Sequence, residues 1–175
     1  VSEYYELKKL SPGYRVIFGK DDYIDISDEP EKIIEKFEEI EPGSGKHLRK
    51  FMENSRKNYE IAMKDLVYNP GKSLLELVNL ETAARLNLFV QNISQTVRRN
   101  IKNPKLQSIL EFPVLFLGAK PQNTPAFYNF MNHADFGLGT WYPKGGFNAV
   151  AMGMVKLAKE LGVEFYLNQN VVKIQ

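Results

Sequence analysis

Apolar residues recur along this chain in two periods, and each change of period marks an element. Residues 14–18 (Tyr-Arg-Val-Ile-Phe) and 23–26 (Tyr-Ile-Asp-Ile) are rich in β-branched and aromatic types. Gly19-Lys20-Asp21-Asp22 lies between them, a hairpin signal. Ser27 or Asp28, with Pro30 just inside, then opens a predicted helix with Ile33, Ile34, Phe37 and Ile40 on one face. Pro42-Gly43 stops it. A longer helix is predicted over 46–68, where Leu48, Phe51, Met52, Tyr59, Met63 and Leu66 recur at helical spacing. Lys50, Glu53, Lys57 and Lys64 face elsewhere, and Asn69-Pro70-Gly71 ends the run.

Residues 73–110 read as several shorter helices broken near Asn79 and at Asn103-Pro104. The run 112–118 is nearly all apolar and fits a buried strand, a buried helix or a membrane-facing loop. Thr124 is expected to cap a helix that has Pro125 at its first position and ends near Gly137. A last helix is predicted over 146–161, with Phe147, Val150, Ala151, Met154, Leu157, Ala158 and Leu161 on its buried side and Gly162 as its cap. Residues 163–167 and 171–174 read as strands around Asn168-Gln169-Asn170. The fold class is α+β, mostly helical, with a short antiparallel β element. No internal repeat is present.

Composition narrows the chemistry. At 175 residues, 43% of them apolar, the chain can bury one good core, or one domain with part of a second. No run approaches the roughly 18 apolar residues of a membrane span. The first ten residues are polar and lack the apolar core of a secretory signal. The first residue is Val rather than Met, which reads as a cut from something longer. Cysteine is absent, so thiolate metal sites, disulfides and Cys nucleophiles are excluded. With only His47 and His133 as imidazoles, neither a metal site nor a Ser-His-Asp triad is expected.

Charge is uneven. Residues 1–41 carry 12 acids and 6 bases, whereas 42–175 carry 17 bases and 9 acids. Between Glu81 and Glu111 stand Arg85, Arg98, Arg99, Lys102 and Lys105 with no acid. Such a stretch suits a solvated helix face, an anionic membrane surface or a nucleic acid.

Two glycine-containing stretches bear on phosphate binding. Pro42-Gly43-Ser44-Gly45-Lys46-His47 fails as a P-loop, because Ile40 and His47 occupy positions that need Gly and Ser or Thr. No G-x-G-x-x-G follows a strand, so no Rossmann dinucleotide turn lies in these residues. The second stretch, GLGTWYPKGGF over 137–147, puts the single Trp between glycines just ahead of a helix. Extended to the last residue, as GTWYPKGGFNAVAMGMVKLAKELGVEFYLNQNVVKIQ, it resembles a segment of the bacterial-type phytoene desaturases. That segment reads Tyr-Pro-x-Gly-Gly, helix, Leu-Gly-Val, Asn-x-x-Val-x-x-Ile. The family lies within the flavin amine-oxidase superfamily. Pro12-Gly13-Tyr14-Arg15 with its hairpin, Phe51, Tyr59 and LEFPVLFLGAKPQNTPAFYNFMNHADFGLGTWYPKGG are similar in order and spacing, so the resemblance covers essentially the whole chain.

The resemblance implies an FAD-dependent oxidoreductase that introduces C=C bonds into a long isoprenoid hydrocarbon. It implies an internal segment: residues 1–161 as substrate-binding domain, and 162–175 as strands re-entering an FAD domain. The family's glycine fingerprint and its second flavin motif lie outside these residues, so alone they are expected neither to retain FAD nor to be active. Side chains cannot accept hydride from an unactivated hydrocarbon, which is why a redox cofactor is needed. Phe112, Phe116, Phe127, Tyr128, Met131, Trp141 and Tyr142 are the implied substrate contacts. Gly145, Gly146 and Val171 are the implied flavin contacts, and Glu76 is the implied acid/base group, with His133 a second candidate. Other implied partners are a membrane surface, reached by peripheral attachment in a bacterial cytoplasm, and a second copy through 163–175. Nucleic acid and metal are not expected. Two alternatives stay open: another flavin oxidoreductase acting on an isoprenoid or retinoid-like lipid, and a non-catalytic lipid-binding or membrane-associating module.

Overall fold

A computed structural model describes residues 2–64 and 90–174. The chain divides into two compact units, one formed by Leu10–Thr140 and the other by Val1–Lys9 with Trp141–Gln175.

In the unit Leu10–Thr140 the hairpin forms as the alternation predicts. Strands Tyr14–Gly19 (β2) and Asp22–Ile26 (β3) pair antiparallel with Val16 opposite Ile24 and a bulge between Ile17 and Gly19. A period of two puts Tyr14, Val16 and Phe18 against the core beside buried Ile24 and Ile26. On the other face Arg15 pairs with Asp25 at 2.6 Å and lies 3.8 Å over the Tyr23 ring.

Helix α1 (Pro30–Ile40) buries Ile33, Ile34 and Phe37. Its N-cap is Glu29, without a side-chain cap, rather than Ser27 or Asp28; the Ser27 hydroxyl accepts the Glu29 amide one step earlier. Helix α2 (Ser44–Lys64) begins two residues before the expected start. Gly43, at φ +89°, makes the turn. The Glu38 carboxylate then accepts the amides of Gly43 at 2.7 Å and Gly45 at 2.8 Å. These two donors hold its carboxyl below the usual range.

The core face of α2 differs from the predicted stripe. Leu48, Ser55, Asn58, Ile61 and Ala62 are buried, whereas Met63 is exposed. Two polar residues on the buried face hide it from a hydrophobic count. Ser55 Oγ donates to the Phe51 carbonyl, and Asn58 Nδ2 donates to Asn129 Oδ1 at 2.7 Å. Leu66, Asn69-Pro70-Gly71 and the break near Asn79 lie outside the described residues.

Helix α3 (Ile93–Asn100) starts on a reciprocal capping box between Asn92 and Gln95. Helix α4 (Pro104–Glu111) starts on Asn103 with Pro104 at its first position, as the Asn-Pro break predicts. The ambiguous apolar run is a 3-10 helix, Phe112–Leu117, closed by Gly118 at φ +67°. Further on, Thr124 does not cap: its hydroxyl donates to the Lys120 carbonyl, and Pro125 is extended. The helical path to Gly137 is instead 3-10 at Ala126–Asn129, one α turn at Phe130–Asn132 and a π turn at His133–Gly137. One core joins Phe37, Leu48, Ile93, Val97, Leu106, Ile109, Leu110, Val114 and Phe136.

The second unit is built on β1 (Leu7–Lys9) paired antiparallel with β4 (Trp141–Pro143), followed by helix α5 (Phe147–Glu160). Only Gly153 of α5 is buried, where a Cβ would meet Tyr5 at 3.0 Å and Tyr4 at 3.1 Å. The predicted buried stripe is therefore corrected. Val150 and Ala158 are half-buried, but Phe147, Ala151, Met154, Leu157 and Leu161 are exposed. The Tyr4–Tyr5 segment covers one narrow line of the helix and leaves the wide apolar face open. Gly162, at φ +82°, caps the helix as expected. The predicted strands 163–167 and 171–174 make no ladder among the described residues, since an extended segment becomes a strand only when another pairs with it. Asn168 turns between them at φ +59°.

Candidate functional site

In the unit Leu10–Thr140, β2 forms one wall of a cleft of about 430 Å³, and α4 with the 3-10 turn after it forms the other. Val16, Ile17, Phe112, Leu115 and Pro121 make it mainly apolar; Arg15, Ser108 and Glu111 add polarity. Three rings run in a row beside it. Tyr14 and Phe112 have centroids 6.2 Å apart, and Phe112 meets Phe116 edge-on at 5.3 Å. Phe116 is 75% exposed, so the row leads from half-buried Tyr14 out to solvent. Leu115 and Leu117 flank its outer end and are exposed as well. A short 3-10 helix makes this possible: three residues per turn throw successive side chains around the axis, and only Pro113 and Val114 reach the core.

The inner end of the row carries a proton. Tyr14 Oη donates to Asp135 Oδ2 at 2.5 Å, across 121 positions of sequence. Burial raises the Asp135 carboxyl, and the Tyr14 hydrogen bond pulls it part of the way back. Burial, the Asp135 charge and the hydrogen bond together push the Tyr14 hydroxyl far above the ordinary phenol.

Of the other implied substrate contacts, Phe127 is buried with Ile61 and Ala62 against Phe130. Its ring meets Phe130 at 5.8 Å, and Tyr128 meets Phe130 at 5.5 Å. Met131 is half-buried in the same segment. Phe127 is thus enclosed by neighbours, while Phe112 and Phe116 present open surface. His133 is half-buried with its ring 5.1 Å from Tyr59. Burial lowers its pKa first and Arg56 second, against a smaller opposing effect of Glu60. The π turn holds that ring directly over Gly137, where a Cβ would fall 2.5 Å from His133 Nδ1. Gly137→Ala is accordingly expected to expel the imidazole and cost about 1–3 kcal/mol. Urea unfolding measures the cost, and an unchanged histidine environment by NMR would contradict this packing.

The remaining implied residues lie in the other unit. Trp141 and Tyr142, on β4, are half-exposed. Gly145 and Gly146 come next at φ +88° and +73° and lead straight into α5. Here left-handed backbone requires glycine. The first turn of α5 carries no acid, and Gly146 supplies no side-chain cap. The Gly146 amide donates to the Pro143 carbonyl at 2.8 Å and the Ala149 amide to the Gly146 carbonyl at 3.0 Å, so the turn closes on its own backbone. Val171 is 74% exposed in extended chain outside any ladder. Glu76 lies outside the described residues. Among the described residues no cluster of three His, Asp or Glu could hold a metal ion, and no helix is long and apolar enough to cross a membrane.

Sequence reasoning did not reach the Tyr14–Asp135 pair. Tyr14 stands in a motif that carries the family resemblance, but nothing local marks Asp135 as its acceptor.

Residues 5–175 match the family described as flavin containing amine oxidoreductase. The chain is similar to a carotenoid 3,4-desaturase from Haloarcula japonica, 39% identical over 175 residues covering 98% of this chain and 35% of the relative. It is also similar to a 4,4'-diapophytoene desaturase (4,4'-diaponeurosporene-forming) from Staphylococcus aureus, 30% identical over the same shares. The chain thus spans about a third of the length of these relatives.

Proposed function

The chain belongs to the flavin containing amine oxidoreductase family, and from that premise we propose that it is the substrate-side segment of an FAD-dependent carotenoid desaturase. The observation that carries the proposal is the similarity, along 98% of the chain, to a relative named for carotenoid desaturation. The substrate class is a long isoprenoid hydrocarbon. Residues 1–161 serve that substrate, and 162–175 lead back into the nucleotide-binding part.

Desaturation removes a hydride and a proton from adjacent carbons. Bound FAD supplies the two-electron acceptor that side chains lack. The chain's own contribution is apolar enclosure, orientation and proton acceptance. In the unit Leu10–Thr140, Phe112 and Phe116 guide the hydrocarbon along the ring row, with Tyr128 and Met131 as further contacts and Phe127 packed behind them; in the other unit, Trp141 and Tyr142 are the substrate contacts. Gly145 and Gly146 hold the flavin edge through backbone groups, with Val171 as a further backbone contact. Glu76 takes the proton.

A hydrocarbon of this kind resides in a bilayer, which favours peripheral attachment. The exposed side chains of Phe112, Leu115, Phe116 and Leu117 form an insertable patch. The exposed apolar side chains of 163–174, whose backbone pairs with no strand among the described residues, invite a second copy or a partner strand. The test is incubation of the full-length protein with FAD and vesicles containing phytoene, tracking absorbance at longer wavelength as conjugation grows. Flavin-loaded protein that leaves the spectrum unchanged would reduce the reading to a lipid-binding module. Phe116→Ser is expected to weaken vesicle flotation about tenfold, since a buried Phe side chain is worth about 1.5–3 kcal/mol. Unchanged flotation would remove Phe116 from the membrane contact.

A further inference from the structure

The acid-free basic stretch does not survive folding as a uniform charged face. Lys105 pairs with Asp22 at 2.5 Å, and Arg98 forms a two-point bond to buried Glu111 at 2.9 and 3.2 Å. Lys102 Nζ is spent on the carbonyls of Arg98 and Arg99 at the end of α3. Arg85 lies outside the described residues. Arg99 is the remaining base, and it turns away from Glu111 into a groove between α2 and α3.

That groove has a volume of about 620 Å³. Its cationic members are Arg99 from α3 with Lys46 and Lys50 from α2, and His47 adds an imidazole. Asn54, Gln91, Thr96 and Asn100 supply neutral hydrogen-bonding groups, and no carboxylate is among the described lining residues. Arg99 has one weak contact, to Gln91 Oε1 at 3.4 Å. Lys46, Lys50 and Arg99 form no ion pair among the described residues. Arg15, Lys32, Lys36, Arg49 and Arg56 pair with carboxylates; what distinguishes the groove bases from other bases without an ion pair, such as Lys20 and Lys57, is that they converge on one concavity.

Packing dictates the arrangement. Leu48 and Val97 are buried where α2 meets α3, so the polar rims of the two helices must face each other above that seam. Lys46 and Lys50 are four residues apart and therefore neighbours on one side of α2. Lys46 also borders the carboxylates of Glu35, Glu38 and Glu39 on its other side, so Lys50 and Arg99 are the groove's committed cations. Like charges gathered in a concave, carboxylate-free site raise the local concentration of anions. Arg provides a planar fork and Lys a point charge, the pair of donors suited to phosphate oxygens.

The geometry points to a phosphate-binding site in the α2–α3 groove, with Lys50 and Arg99 as its principal ligands and Lys46 and His47 as its rim. The ligand is a phosphate-bearing anion, either a lipid headgroup or a soluble phosphate. The proposal is independent of the redox reading, because it needs neither flavin nor a hydrocarbon substrate.

The test compares the wild-type protein, Lys50→Gln/Arg99→Gln, and the charge-matched control Lys20→Gln/Lys57→Gln, each checked for native fold by circular dichroism. One arm titrates inorganic phosphate by NMR. The other measures flotation with vesicles of phosphatidylglycerol and phosphatidylcholine against phosphatidylcholine alone. If the source is a lipid, the groove variant should bind anionic vesicles about 30-fold more weakly, the loss for two cations at a charged surface, and the control should bind near normally. If the source is soluble, phosphate should saturate shifts around Lys50 and Arg99 in the wild type alone, with vesicle binding unaffected by the groove variant. Equal weakening by both variants without saturable phosphate shifts means diffuse charge and overturns the site. No response in either arm overturns it too.

Discussion

Phe37→Ala is expected to lower the unfolding free energy of the unit Leu10–Thr140 by about 3–5 kcal/mol, the usual cost of emptying a fully enclosed aromatic position. Phe37 has no exposed surface and sits in a core shared by both hairpin strands, α1, α2, α3 and α4. A cavity there opens inside the shared core rather than at its edge, where a loop could close over it. Against a typical stability of about 5–15 kcal/mol, the loss removes from about a fifth to all of what holds a domain together. Urea denaturation monitored by far-ultraviolet circular dichroism measures it. Phe147→Ala is the counterpart: Phe147 is 85% exposed, and its removal is expected to change stability by about 0.5 kcal/mol or less. A Phe37 variant within about 1 kcal/mol of wild type would mean that the core is not organised around α1.

The second large effect is expected at the Tyr14–Asp135 hydrogen bond. Tyr14→Phe leaves the partly buried Asp135 carboxyl without its hydroxyl donor, and about 1.5–3 kcal/mol is expected to be lost at neutral pH. Asp135→Asn retains an acceptor oxygen for Tyr14 and removes the partly buried charge, so it should match or exceed wild type at pH 7. The pH dependence has a definite sign. Burial raises the folded Asp135 pKa above its unfolded value. The folded state therefore holds that proton more tightly, and the resulting stability is full below the ordinary Asp range and lost as pH rises through the raised value. The advantage of Asp135→Asn over wild type should thus grow from acid to neutral pH. Unfolding titrations of both variants and their combination, at pH 4 and pH 7, provide the measurement. An Asp135→Asn penalty as large as that of Tyr14→Phe at pH 7 would show that the carboxylate form stabilises the fold.

Much of the α+β architecture was legible because local signals act over a few residues. The hairpin, the Asn103-Pro104 start of α4 and the Gly162 cap each rest on a turn or cap whose chemistry is contained in two to four neighbours. The errors have a common origin. Pattern counting treats an apolar side chain as buried and a polar one as exposed, and α2 breaks that equation with Ser55 and Asn58 inside and Met63 outside. Thr124 departs from its expected role because a hydroxyl can as easily bond a carbonyl four residues back as an amide ahead. Among the candidate site residues, the motif around Trp141 to Gly146 marked a turn whose positive φ values only glycine accepts readily.

Sequence by itself determined where the chain can turn, which helices have caps and that Phe112 to Leu117 must be apolar, because those properties come from side-chain chemistry and short-range backbone sterics. Only the tertiary structure decided which charges cancel and which stand free. Arg98 and Arg99 are adjacent and chemically identical, yet one is held by Glu111 and the other opens into a groove with Lys50. Helical geometry places consecutive residues about 100° apart around the axis. What each one meets is then fixed by the neighbouring helix, a long-range fact that no local pattern contains.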